Sequence, residues 1–341
     1  MKPHYFNPQA LTPRRTVLRV IGTTAALWWP ALRSAQAQAP AVPVAPAELR
    51  VAFQKGTVNL ALLKLRGTLE QRLPGTRVSW VEFPAGPQIL EALAVGSVDL
   101  GATGDSPPVF AQAAGKDLFY VGAEPPKPDS SAILVKPDAP LRALADLKGR
   151  RIALQKGSSA HYLTVQAVAR AGLAWGGDVQ AVYLAPADAR AAFERGAVDA
   201  WAIWDPYYAA AEIAGDVRVL VTSRGLTGNN TFYLASRALA GHEAVLKQVF
   251  AALSETDAYV QAQRQDAAKR FAEFAGLGLA TVLRVLERRQ PSPVAPLTPA
   301  LVAEQQQVAD AFARLGLIPR PIRVADAVWL PGRTRLAQAA R

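Results

Sequence analysis

The chain has 341 residues, half of them hydrophobic, with no cysteine and a formal net charge of +11. Without cysteine there is no disulfide framework, thiolate metal site or thiol nucleophile, and a chain of this length can bury a core without staples. Lys2, Arg14, Arg15, Arg19 and Arg33 precede any acid, so the rest is only mildly cationic, with basic residues scattered among acids rather than set in a nucleic-acid-binding stripe.

Residues 1–37 read as a cleaved export signal. Arg14-Arg15 follows Thr12-Pro13, an apolar run covers 20–32, and Ala35-Gln36-Ala37 and Ala37-Gln38-Ala39 both offer small-x-small cleavage sites. The run is shorter than the ~20 residues of a membrane span and contains Gly22 and Pro30. Twin-arginine export is expected. Cleavage is expected after Ala37, because cutting after Ala39 would place Pro40 next to the scissile bond. The expected address is the bacterial periplasm.

From Glu48 onward strand-like and helix-like stretches alternate. Strands are expected over 49–53, 77–83, 100–103 and 118–122, and helices over 58–71, 88–95 and 107–114. A proline-rich loop, 124–129, precedes an extended stretch over 131–136. A second round follows: strands over 151–155, 179–184 and 201–204, and helices over 160–171, 186–195 and through 214. After a strand over 217–222 and a turn-rich link, 225–230, an extended stretch covers 231–234. From 242 to 316 nearly everything is helical, with breaks at Gly276-Leu277-Gly278 and Pro291-Ser292-Pro293. Such alternation implies an α/β protein with mainly parallel sheets.

The two rounds are copies. FPAGPQILEALAVGSVDLGATGD (83–105) and YLAPADARAAFERGAVDAWAIWD (183–205) align about 100 residues apart. Gly96-Ser97-Val98-Asp99 falls on Gly196-Ala197-Val198-Asp199, and Asp105 on Asp205. The period is too long for a solenoid. Two α/β lobes are expected instead, 48–132 plus 222–341 forming one and 133–221 the other. They would be joined by a two-crossing hinge near Ser130 and Thr222, with a helical C-terminal part.

Four strand-to-helix turns then carry the functional expectation: Gln54-Lys55-Gly56-Thr57, Thr103-Gly104-Asp105-Ser106, Gln155-Lys156-Gly157-Ser158-Ser159 and Trp204-Asp205-Pro206. Ligands of open α/β sheets bind outside the strands' carboxyl ends, where helix N-termini present free N–H groups suited to an anion. Taken singly, Ser106, Ser158, Asp105 and Asp205 are N-caps. Four turns facing one cleft from duplicated lobes point to a small-molecule site. Asp105 and Asp205 would repel an anion, and either cap helices or meet a cationic or hydroxylated part of a ligand. Catalysis finds little support. Ser159 and His161 stand two apart at a helix start, so their side chains do not face each other, and no His or carboxylate cluster implies a metal.

The segments VAFQKGTVN (51–59), SWVEFPAGPQ (79–88), GATGDSPP (101–108), RIALQKGSSAH (151–161) and DAWAIWDP (199–206) closely resemble the aliphatic-sulfonate-binding proteins of bacterial ABC importers, within the sulfonate, nitrate and taurine type of substrate-binding protein. The resemblance covers about 48–331. It implies a type II periplasmic binding protein fold, capture of alkanesulfonates, and delivery to a membrane permease with its ATPase. It implies no cofactor, no metal and no nucleic acid, and a monomer. Gln54, Gly104, Asp105, Ser106, Ser158, Ser159, Trp204 and Asn229 become the candidate ligand contacts. Relatives for taurine, nitrate or thiamine precursors share the fold, and a taurine, nitrate or sulfate-ester ligand is the alternative. A sulfinate-hydrolysing enzyme also shares it but relies on a cysteine nucleophile, which this chain lacks.

Overall fold

The computed structural model describes residues 45–330; the export-signal reading of 1–37 lies outside them. The chain opens with β1 (Glu48–Phe53), α1 (Val58–Arg66), α2 (Thr68–Arg72), β2 (Arg77–Glu82), α3 (Gly86–Ala94), β3 (Leu100–Thr103), α4 (Ser106–Ala113) and β4 (Phe119–Glu124). The single helix expected over 58–71 is two, because Gly67 takes a left-handed φ of 62° that ends α1.

The second round comprises β5 (Ser131–Val135), β6 (Arg151–Leu154), α5 (Ser159–Arg170), β7 (Gln180–Tyr183), α6 (Pro186–Glu194), β8 (Ala200–Trp204), α7 (Tyr207–Ala214) and β9 (Arg218–Thr222). The return brings β10 (Thr231–Ala235), then α8 (Arg237–Ala240), α9 (Glu243–Ala262), α10 (Arg264–Ala275), α11 (Leu279–Glu287) and α12 (Pro299–Arg314).

These strands make two five-stranded sheets of matching design, ordered β2-β1-β3-β10-β4 and β7-β6-β8-β5-β9. This is the type II arrangement. The sheets are mainly parallel, as expected, with four of the five strands of each running one way and a single strand running against them. β10 is antiparallel to both β3 and β4, and β5 to both β8 and β9. Each is the strand with which the chain enters a sheet after crossing from the other, so it runs against its neighbours.

The repeat has a physical reason. Asp99 Oδ2 accepts from the backbone N–H of Arg50 at 2.8 Å, and Asp199 Oδ2 from that of Arg151 at 2.7 Å. Each repeated aspartate thereby pins the first parallel strand of its sheet beside β3 or β8. Gly96 and Gly196, at φ of 72° and 71°, turn the chain out of α3 and α6 into that aspartate.

The core is layered. α1, α9, α10 and α11 cover one face of the first sheet through Leu60, Leu63, Leu246, Leu253 and Phe271. α3, α4 and α12 cover the other through Ile89, Val109 and Phe312. In the second sheet α5 packs Leu163 and Val168 on one face, while Phe193, Trp201 and Tyr208 fill the other. Between the sheets the chain crosses twice, after β4 and after β9. The crossings are tied together: Lys127 N–H donates to Gly228 O at 2.9 Å, Asn229 Nδ2 to Lys127 O at 2.9 Å, and Arg224 pairs with Asp129. Among the described residues, no helix is long and apolar enough to cross a membrane.

Candidate functional site

The carboxyl ends of β1, β3, β6 and β8 surround a small cavity of about 70 Å³ that opens to solvent. Gln54, Gly56 and Thr57 enter from β1, Thr103 and Gly104 from β3, Ser158 and Ser159 from β6, and Trp204 and Asp205 from β8. The crossings add Lys127, Asn229 and Asn230, and Arg289 reaches in from beyond α11. Thus both sheets contribute to one cavity, and the starts of α1, α4, α5 and α7 are grouped around it.

Six of the eight expected residues line this cavity: Gln54, Gly104, Ser158, Ser159, Trp204 and Asn229. Thr57 shapes the turn at Gln54, its hydroxyl donating to Gln54 O at 2.7 Å and accepting from Gln54 N–H at 3.1 Å. Gly104 sits against Ser159. A Cβ there would lie 3.2 Å from Ser159 Cβ and would overlap its hydroxyl oxygen. Ser158 precedes α5, and its hydroxyl donates to Gln155 O at 2.8 Å. The Asn229 amide is held by Lys127 O, as above.

Asp105 and Ser106 are not on the cavity wall. Both are buried behind it, the Ser106 hydroxyl donating to Asp105 Oδ1 at 2.8 Å and Gln305 Nε2 donating to Asp105 O at 2.6 Å. Gly157 packs on Phe110, whose ring atoms come within 3.3 Å of where its Cβ would be. The prolines 107 and 108 at the start of α4 carry no N–H, so α5 is the richer source of free backbone donors.

The charged residues are held by burial. Burial pushes the Asp105 carboxyl up to about 6, although the Ser106 and Ser159 hydroxyls favour its charged form. Burial likewise pushes Asp205 up to about 7 while Arg288 pulls it back. Asp205 Oδ1 accepts from Arg288 Nη1 and from Ala209 N–H, both at 3.0 Å. Burial alone would also raise Glu124, but Arg289 and Lys127 beside it overcome that and hold it at about 2. Lys127 Nζ and Arg289 Nη2 stand 3.0 and 3.2 Å from its Oε2. Of the residues lining the cavity, Asp205 keeps Oδ2, Asn230 keeps Oδ1 and Arg289 keeps Nε buried with no protein partner among the described residues.

Lys127, Asn230 and Arg289 escaped the sequence reading. Lys127 stands in the proline-rich loop, and Arg289 lies far along the chain in the helical part, with nothing local to mark either. His161 offers no catalytic arrangement. Its Nδ1 accepts from Gly157 N–H at 3.2 Å, its ring packs against Phe110, Trp175 and Phe312, and burial pushes its pKa down to about 3. Among the described residues, no group of His, Cys, Asp and Glu is placed to hold a metal ion.

Residues 52–281 match the family model described as ABC transporter, phosphonate, periplasmic substrate-binding protein. A curated relative from Escherichia coli (strain K12), named for binding aliphatic sulfonates, is 48% identical over 301 residues, covering 88% of this chain and 94% of its own length. Two solved structures are similar throughout. The alkanesulfonate-binding protein of Xanthomonas axonopodis pv. citri bound to MOPS is 48% identical with a TM-score of 0.80, covering 84% of this chain and 99% of that one. The periplasmic aliphatic sulphonate binding protein of Escherichia coli is 48% identical with a TM-score of 0.79, covering 84% and 93%.

Proposed function

The chain belongs to the periplasmic substrate-binding proteins of ABC transporters, and we propose that it captures aliphatic sulfonates in the cleft between its two sheets. The captured ligand then passes to an inner-membrane permease driven by a cytoplasmic ATPase. The protein acts in the periplasm, as a monomer, without catalysing a reaction. The 1–37 leader and the names of its relatives support this address and role.

The observation that carries the reading is the meeting of Gly104 and Ser159. One ends β3 in the first sheet and the other starts α5 beside the second, and both line the cavity. A sulfonate head group has three acceptor oxygens, stays ionised, and donates no hydrogen bond. Fixed donors from both lobes suit it: the free N–H groups at the start of α5, the Ser159 hydroxyl, and the backbone at Gly104. Gln54, Ser158, Trp204 and Asn229 complete the contacts. Asp105 and Ser106 act from behind the wall, and because burial favours the neutral Asp105 carboxyl, its repulsion of a bound anion is reduced. The lobes, 48–132 plus 222–341 and 133–221, close on the ligand about the two tied crossings.

Calorimetric titration of the purified protein with alkanesulfonates of rising chain length tests this. Binding should stabilise the fold by about 2.7 kcal/mol when ligand stands at a hundred times its dissociation constant. Absence of binding to the whole panel, or release of sulfite by the protein alone, would sink the reading.

A further inference from the structure

Arg288 follows α11, a helix that covers the first sheet, yet its side-chain partners follow β8 of the second. Nη1 donates to Asp205 Oδ1 at 3.0 Å, Nη2 donates to Glu212 Oε2, and the guanidinium carbon lies 3.7 Å from the centre of the Tyr208 ring. The Arg288 side chain is 10% exposed. Its partners sit on α7 and the turn before it. On that helix Ala209 packs into the first sheet's core with Val282 and Leu286, whereas Tyr208 and Ala211 pack into the second's. α7 thus straddles the two cores, and Arg288 is its charged fastening.

The fastening bears on the cavity. A Cβ on Gly56 would lie 2.9 Å from Asp205 O and 3.4 Å from Trp204 Cδ1, so the β8–α7 turn rests on the β1–α1 turn. Gly56, Trp204 and Asp205 all line the cavity. Elsewhere Gln155 Nε2 donates to Gln88 Oε1 at 3.1 Å, joining the end of β6 to α3. That bond is neutral at both ends, and hydrogen bonds between ions are roughly twice as strong.

Without the guanidinium, Asp205 and Glu212 would stand together with no counter-charge where the two cores meet. Burying an unpaired charge is costly, and opening the cleft relieves that cost by admitting water. We infer that Arg288 is a positioning residue for ligand capture: closing the cleft brings its guanidinium between Asp205, Glu212 and Tyr208, which seats Trp204 against the ligand and slows the ligand's escape. The inference rests on the sulfonate reading above.

The test titrates the alkanesulfonates from ethanesulfonate to hexanesulfonate into the full protein by calorimetry and follows association and dissociation by stopped-flow tryptophan fluorescence. Arg288→Met should weaken the parent's tightest binder by about tenfold or more. The loss should come as faster dissociation, because first encounter with an open cleft does not involve the clasp. Adding Glu212→Gln to Arg288→Met should recover affinity several-fold, since it removes one of the two carboxylates left without a counter-charge. Arg288→Lys keeps a cation but lacks the fork that serves both carboxylates. It should bind with an affinity between the parent and Arg288→Met, which keeps the inference testable if Arg288→Met fails to fold. Unchanged affinity in the Arg288 variants, a further loss on adding Glu212→Gln, or a loss carried by slower association overturns the inference and leaves the sulfonate reading standing. Failure of the whole series in the parent protein overturns both.

Discussion

Gly104 and Ser159, carried by different sheets, press together so closely that the first has no room for a side chain. Gly104→Ala should therefore wedge the cleft open. Since closure places donors around the ligand, sulfonate affinity should fall by about tenfold or more, the magnitude of one lost hydrogen bond to a charged group. The double variant Gly104→Ala/Ser159→Gly removes the obstructing side chain. If steric blockage is the cause, it should bind better than Gly104→Ala/Ser159→Ala, which keeps a Cβ at 3.2 Å. Calorimetric titration of the three variants decides the matter.

The serines should differ in kind. Ser159→Ala removes a hydroxyl at the cavity wall and should weaken alkanesulfonate binding by about tenfold. Ser106→Ala removes a hydroxyl spent on Asp105, so its effect should fall on stability, about 1 kcal/mol, with a smaller change in affinity. Equal affinity losses in both variants would mean that the Ser159 hydroxyl has no special contact with the ligand.

What could be read in the sequence was local or repeated. Gly96 with Asp99, and Gly196 with Asp199, each solve a backbone problem within a few residues, so the duplicated pattern exposed two sheets of matching design. The starts of α1, α4, α5 and α7 carry their own turn chemistry and revealed a cleft. Direction was harder: β5 and β10 are antiparallel because of where the chain crosses, which no strand pattern records. Charge pairing was invisible too. Glu124, Lys127 and Arg289 come from β4, its following loop and the stretch just after α11, and only the folded chain brings them together. Ser106 misled for a related reason, since a serine at a helix start reads alike whether its hydroxyl faces a ligand or a neighbouring aspartate.

Glu124→Gln should be among the most damaging single changes. It would leave Lys127 and Arg289 buried beside a neutral amide, and it would also disturb the Asn59 and Tyr233 hydrogen bonds at 3.3 and 2.9 Å. Breaking a buried ion pair from one side costs about 3–5 kcal/mol. Urea denaturation should show a loss of that order, with cooperative unfolding retained. A loss under about 1 kcal/mol would mean that water already screens the cluster.

The pH dependence of stability should have two opposing limbs. Asp105 and Asp205 titrate at about 6 and about 7 in the fold, against an ordinary 3.8, because burial disfavours their charge. The folded state therefore binds their protons more tightly than the unfolded chain does. Their contribution is fully present below the unfolded value and is lost as pH rises through about 6 and about 7. Glu124 runs the other way. Held at about 2 against 4.5, it contributes fully above its unfolded value and loses that contribution as pH falls toward 2. Ligand-free protein should accordingly be more stable at about pH 5 than at about pH 8, by a few kcal/mol, since a tenfold difference in proton affinity between the folded and unfolded chain is about 1.4 kcal/mol. Asp205→Asn should flatten the limb above about pH 5, because one of its two titrating groups is gone. Urea unfolding across this range measures both limbs. Stability that rises steadily from about pH 5 to about pH 8 would show that these two carboxyls stay charged in the folded protein.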